Sequence, residues 1–162
     1  MLGNLNKDQI ENILHSQSIC RIACCDDKLP YLVPITYYYD GEYIYGQSQE
    51  GMKINILRKN PNVCIQVDLI TSMSIYQSVI VNGKFEELKP GLSEKARSEL
   101  HENILTMMTR SRIHKFEHSL DTEFATNSPD KLIMFRVKIN EITGRFENQE
   151  IAINTTLSAE MK

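Results

Sequence analysis

The sequence predicts a mainly β domain with flanking helices, its strands joined in one antiparallel sheet that closes, fully or partly, into a barrel. Three observations predict this. Segments of alternating apolar and polar residues recur along most of the chain. Nearly all are joined by short turns, which make neighbouring strands antiparallel. Only a few stretches show the helical period, one before the strands and one before the last of them. About six strands result, and closing them hides the edges that otherwise invite aggregation.

Residues Asn4 to His15 read as a helix. Asn6 can cap it, Gln9 stands three residues later as in a capping box, and Ile10, Ile13 and Leu14 form an apolar stripe. Ser18 to Cys25 is apolar and small, as in a buried strand, and Asp26-Asp27-Lys28 turns the chain. Tyr31 to Tyr39 sets Tyr31, Val33, Ile35, Tyr37 and Tyr39 on one face, opposite Leu32, Pro34, Thr36 and Tyr38. Asp40-Gly41 then suits a type I′ hairpin turn, with a partner strand over Glu42 to Ser48. A short helix starts near Met52 and stops at Asn60-Pro61. Asn62 to Asp68 is a strand with Val63, Ile65 and Val67 on one face. Thr71 to Leu88 is long and β-rich, and its Asn82-Gly83 is a second hairpin turn or a bulge. Ser93 to about Met108 is the strongest helix, with Ser93 as N-cap and Ala96, Leu100, Ile104 and Met107 in a stripe. Residues 109–130 are ambiguous up to the breaker Asn127-Ser128-Pro129-Asp130. Leu132 to Ile139 alternates strictly, with Ile133, Phe135, Val137 and Ile139 inward, and the strand is expected to run on to Phe146.

The 162 residues suit one domain with a real core. We expect it over residues 1–147, followed by a tail, 148–162, that is mobile or packs on a partner chain. The formal net charge of −3 argues against a nucleic-acid surface. No apolar run approaches the roughly 20 residues of a membrane helix. The N-terminal run is amphipathic and acidic, unlike a secretory signal, so a cytoplasmic location is expected. Cys20, Cys24, Cys25 and Cys64 lack both CxxC pairing and zinc spacing, and are expected as reduced structural thiols. His114 and His118 are spaced i, i+4 without an evident third ligand, so no metal site is expected.

One stretch carries chemistry. After Gln49-Glu50-Gly51, Lys53 falls in the first turn of a helix, where free backbone N–H groups and the positive dipole end collect. A lysine there makes a candidate anion site, phosphate being the commonest anion of that size. A solvated surface lysine is the plain alternative.

Taken in order, Tyr31-Leu32-Val33-Pro34-Ile35, the hairpin YYYDGEYIYG, the loop QSQEGMK, the helix end LRKNP and the strands YQSVIVNGKFEEL and FRVKINEITGRFE cover most of residues 1–147. This ordered set resembles the FMN-binding split-barrel superfamily, in the pyridoxamine 5′-phosphate oxidase-related branch that includes the nitroimidazole-resistance proteins. The resemblance implies a six-stranded antiparallel split β-barrel, a homodimer, and FMN in a cleft at the subunit interface. It implies that Val33, Pro34, Ile35 and Thr36 run beside the flavin ring and offer backbone groups to it. Gln47 and Ser48 would contact the ring or ribityl chain, Gly51, Met52 and Lys53 the phosphate, and Ser78 would face the cofactor. Gln47 stands where many relatives have histidine, Tyr76 where tryptophan is usual, and Met52 where true pyridoxamine 5′-phosphate oxidases have arginine. The resemblance therefore implies the cofactor rather than the vitamin B6 reaction.

The function implied is an FMN-dependent oxidoreductase that takes electrons from a transiently docked nicotinamide and passes them to a small electron-poor, nitroaromatic-like acceptor. No catalytic acid or base stands out. Two alternatives stay open: a flavin-binding carrier or sensor without turnover, and a split barrel adapted to another ligand such as haem.

Overall fold

The computed structural model describes residues 1–26, 29–110 and 132–148, the side chains of 107–110 excepted. The elements run β1 (Leu2–Asn4), α1 (Lys7–Ser16), β2 (Ile19–Cys25), β3 (Pro30–Tyr39), β4 (Tyr43–Gln49), α2 (Met52–Lys59), β5 (Asn62–Ser72), β6 (Ile75–Glu87), α3 (Leu92–Arg110) and β7 (Leu132–Asn148). The sheet order is β1-β7-β4-β3-β2-β5-β6, and β6 pairs again with β7. Six strands thus close into an antiparallel ring, as expected, and β1 adds a short seventh strand on one edge of β7.

The core fills the ring. Ile22, Tyr37, Ile44, Ile65, Val67, Val79, Phe135 and Val137 all point inward and are buried. Their period-2 spacing on each strand is the alternation read from the sequence. Ile54 and Leu57 of α2 and Ile13 and Leu14 of α1 join the same core. α3 packs outside the ring: Ala96, Leu100 and Ile104 bury against Met134, Tyr38 and Tyr45. α1 carries the predicted capping box, with Gln9 N–H donating to Asn6 Oδ1 and Asn6 N–H to Gln9 Oε1, both at 2.9 Å.

Several boundaries differ from expectation. The first helix begins at Lys7, because Leu2–Asn4 extend to pair with Arg145–Glu147 of β7. The β3–β4 turn centres on Gly41-Glu42, one residue later than expected: Asp40 N–H donates to Tyr43 O, so Asp40 closes the loop rather than lying in it. Gly41 takes the positive φ of 99°. The Asp40 carboxylate accepts from the backbone N–H groups of Glu42 and Tyr43, which draws the turn toward it. Asn82-Gly83 is not a hairpin turn: β6 runs through it in unbroken register with β5, and the extra residue at the shift against β7 is Asn140, so the bulge lies on the partner strand. α3 begins at Leu92, so Ser93 lies inside the helix and is not its cap; Ser93 N–H donates to Lys89 O. The ambiguous stretch falls mostly, and His114, His118 and residues 149–162 wholly, outside the described residues.

The ring is split at one place. β3 pairs with β2 from Pro30 to Thr36, but with β4 only from Tyr37 to Tyr39. Beyond Gly46, β4 continues along β7 as far as Gln49 and parts from β3. Tyr37 N–H donates to Ser18 O, on the β2 side. Backbone groups of alternate residues point to opposite neighbours. Tyr31, Val33 and Ile35 therefore aim at β2, whereas Leu32, Pro34 and Thr36 aim at the fork, where no described strand pairs with them. Both prolines of β3, Pro30 and Pro34, fall in this second register. Their missing N–H groups therefore cost no ladder hydrogen bond.

Candidate functional site

The fork places the residues singled out from the sequence in two groups. Thr36 and Gln47 stand on its two sides, just where β3 and β4 part. Pro34 and Thr36 lie on the outer face of β3, while Ile35 is buried inward and Val33 packs against the core from the same side. Gln47 pairs with Met134, which faces outward under α3; Ser48 pairs with Ile133, and its hydroxyl donates to Gln49 O at 2.9 Å. Gly51 is the N-cap of α2 and offers no side-chain acceptor to the first N–H groups of the helix.

Lys53 follows one residue into that helix. Ile54 and Leu57 anchor α2 in the core, and this anchoring draws the half-buried Lys53 inward. Its Nζ lies 5.9 Å from the centroid of the buried Phe135 ring. Phe135 can lie there because its partner across β4–β7 is Gly46: a Cβ at Gly46 would stand 2.7 Å from Phe135 Cζ. Among the described residues no carboxylate pairs with Lys53. Burial lowers its pKa, and only the Cys24 and Cys20 thiols act against that shift. Burial in turn pushes the Cys20 thiol up to about 12, so it supplies no counter-charge at neutral pH. The helix start and the half-buried ammonium together form a cationic corner whose chemistry suits an anion.

The loop into this corner is braced. Arg58 reaches Glu87 through two hydrogen bonds, at 2.8 and 3.0 Å, and Glu50 through a third at 2.6 Å. Glu50 sits just before the helix start, and Arg58 offsets its charge there. The sequence reading missed this clasp, because Glu87 is 29 residues away in the chain and comes beside Arg58 only when β6 folds back along β5.

Ser78 lies elsewhere. It is on the outer face of β6, where its hydroxyl accepts from the Gln66 amide at 3.2 Å. β2 and β5 separate β6 from β3. Three strand spacings amount to about 14 Å, so within one chain Ser78 is not brought to the fork. Nearby, a groove of about 270 Å³ is lined by Gln9, Leu69, Ile75, Tyr76, Phe146 and Glu147 among others. Tyr76, the residue that replaces the usual tryptophan, thus lies in that groove and not at the fork. Among the described residues there is no cluster of three metal-ligating side chains, and no helix is long and apolar enough to cross a membrane.

Residues 6–146 match the pyridoxamine 5′-phosphate oxidase family. An uncharacterised protein of Rhizobium meliloti (strain 1021) is 36% identical over 84 residues, which is 52% of this chain and 56% of that protein. The match thus spans little more than half the length of that curated relative. Among solved structures, an FAD-binding protein from Mesorhizobium loti superposes with a TM-score of 0.69 and 27% identity, over 91% of this chain and 99% of that one. A candidate 5-nitroimidazole antibiotic resistance protein from Bacteroides thetaiotaomicron superposes at 0.66 with 22% identity, over 90% and 87%. An FAD- and haem-binding protein from Mycobacterium smegmatis superposes at 0.67 with 14% identity, over 91% and 74%. At these identities the last two show a common fold alone.

Proposed function

The chain belongs to the pyridoxamine 5′-phosphate oxidase family, and from that premise we propose that it is an FMN-binding flavoprotein that passes electrons from a nicotinamide donor to a small electron-poor acceptor of the nitroaromatic class. The observation that carries this reading is the succession of two features along the chain: β4 parts from β3 beyond Gly46, and α2 starts shortly after β4 ends. The first leaves the β3 edge, where among the described residues no strand pairs with the fork-side backbone groups of Leu32, Pro34 and Thr36. The second gives the cationic corner of Lys53 and the start of α2. A planar heterocycle with a donor–acceptor edge and a phosphate tail answers both. The likeness to the FAD-binding protein from Mesorhizobium loti supports a flavin.

In this reading the β3 edge from Val33 to Thr36 holds the ring, Gln47 and Ser48 line the approach from β4, and Gly51, Met52 and Lys53 hold the phosphate. The flavin supplies the two-electron chemistry. The chain orients it, and its apolar barrel wall keeps water from one side. Ser78 is too far from the fork to serve the same ring within one chain. It fits a site completed by a second copy, so we propose a homodimer with the cofactor at its interface.

The test is the visible spectrum of the purified protein, then heat release and mass of any chromophore. The expected result is flavin absorption and the mass of FMN; release of FAD would correct the phosphate end of the reading. Aerobic and nitroaromatic-dependent NAD(P)H oxidation then separates an oxidoreductase from a carrier. A colourless protein that also fails to bind added flavin would overturn the proposal. Sedimentation of the flavin-loaded protein as a monomer at micromolar concentration would overturn the shared site.

A further inference from the structure

One ion pair on the outside of the barrel has no evident task in the fold. Arg21 of β2 donates from Nη1 to Asp68 Oδ2 of β5 at 2.8 Å. The two partners are unlike: the Asp68 side chain is 12% exposed and that of Arg21 50%. The carboxylate is the fixed member, and the guanidinium keeps further N–H donors turned to the outside. An exposed ion pair of this kind contributes little to stability, and neither residue belongs to the core.

The register explains where this cation stands. Arg21 lies directly across from Pro34 on one side and Gln66 on the other. Asp68 pairs with Ser78, and the Gln66 amide donates to the Ser78 hydroxyl. Arg21 and Asp68 therefore occupy the outer face between Pro34 and Ser78, two residues assigned to the cofactor from different strands. Ile19 and Leu32 on the same face are exposed and uncharged. Asp68 holds Arg21 on this face, on the β2 side of the strand whose free edge is to carry the ring.

We propose that Arg21 tunes the bound flavin: its fixed positive charge stands near enough to the ring to stabilise the negative charge that two-electron reduction leaves there. Asp68 is its positioning residue and partly offsets that charge. The inference rests on the flavin reading above.

The experiment is spectroelectrochemical determination of the midpoint potential of the bound flavin in wild type and in Arg21→Gln, Arg21→Lys and Asp68→Asn, with far-UV circular dichroism on each. Removing the cation (R21Q) shifts the potential to more negative values, and R21K, which keeps the charge, recovers most of the shift. D68N leaves Arg21 less offset and shifts the potential the opposite way. A pair that merely braces the sheet would move both R21Q and D68N in the same direction, and that result overturns the proposal, as does an R21Q potential equal to that of wild type. The wild-type protein is the control for the underlying reading: if it holds no flavin, that reading falls and this inference falls with it. If it holds flavin and only the potentials fail to respond, Arg21 alone is excluded.

Discussion

Lys53 and Phe135 meet at the edge of the barrel core, the amine 5.9 Å from the centroid of a ring that is itself fully buried. A lysine placed there is desolvated without a counter-ion among the described residues, and that burial lowers its pKa. Replacing it with methionine is expected to have two opposed effects. Flavin affinity falls roughly 10- to 150-fold, because a charge-assisted hydrogen bond contributes ~1.5–3 kcal/mol. The flavin-free protein becomes more stable than wild type at neutral pH, because the burial penalty is gone. The sign of the pH dependence follows. Below its lowered folded pKa, Lys53 is charged in both states and the folded state bears the full penalty. As pH rises through that pKa toward the ordinary 10.5, the folded state releases its proton first and the penalty fades. The stability difference between K53M and wild type should therefore shrink with rising pH in that window. Urea titrations of the two flavin-free proteins measure it; a difference that grew with pH would contradict the assignment.

The two registers of β3 predict an alternating pattern of hydrogen exchange. The amides of Val33, Ile35 and Tyr37 point to β2 and should exchange slowly with or without ligand. Those of Leu32 and Thr36 point into the fork and should exchange fast in the flavin-free protein. Binding of flavin should slow this second pair selectively. Residue-resolved exchange by NMR checks this, and uniform protection along β3 before flavin is added would remove the free edge.

Tyr37 and α1 offer a test of the scaffold apart from the site. The buried Tyr37 hydroxyl donates to Leu14 O at 2.8 Å, a carbonyl in the last turn of α1. Tyr37→Phe leaves that carbonyl without this donor and should cost about 1–3 kcal/mol. Denaturant unfolding measures the loss, and the spectrum of the bound flavin is expected to stay unchanged.

The Arg58 clasp predicts a salt-dependent effect on affinity. Arg58→Gln frees the Glu50 carboxylate beside the start of α2, where it repels an anion. Flavin binding should weaken most at low ionic strength and approach wild type as salt screens the charge. The double variant with Glu50→Gln should recover much of the loss. Calorimetric titrations at two salt concentrations measure it; a loss equal at both would mean that Arg58 acts through backbone geometry alone.

Much of the barrel was legible in the residues themselves. The alternation in Tyr31–Tyr39, Val63–Val67 and Leu132–Ile139 is local, because burial of one sheet face imposes a period of two on each strand separately. The turn at Gly41 and the helix start at Gly51 were legible for the same reason: each rests on backbone freedom within a few residues. The errors fell where a distant partner decides. β1 is a strand only because the far end of β7 lies beside it. Nothing near Asn82-Gly83 shows that the strand runs straight through it; β5 and β7 pair with it on both sides, and the bulge falls opposite, at Asn140 of β7. Ser93 looked like a cap, but the chain had already turned helical at Leu92.

The candidate site divides in the same way. The sequence by itself determined which residue types are present: a lysine one step past a glycine at a helix start, and prolines in a strand that has to leave one edge unpaired. Only the tertiary structure decided that the Lys53 amine turns inward to Phe135, that Arg58 spans Glu50 and Glu87, and that Arg21 and Asp68 lie between Pro34 and Ser78. The physical reason is that hydrogen-bond direction and local conformation are set by neighbours in the chain, whereas desolvation and charge pairing depend on what the closed ring brings together across tens of residues.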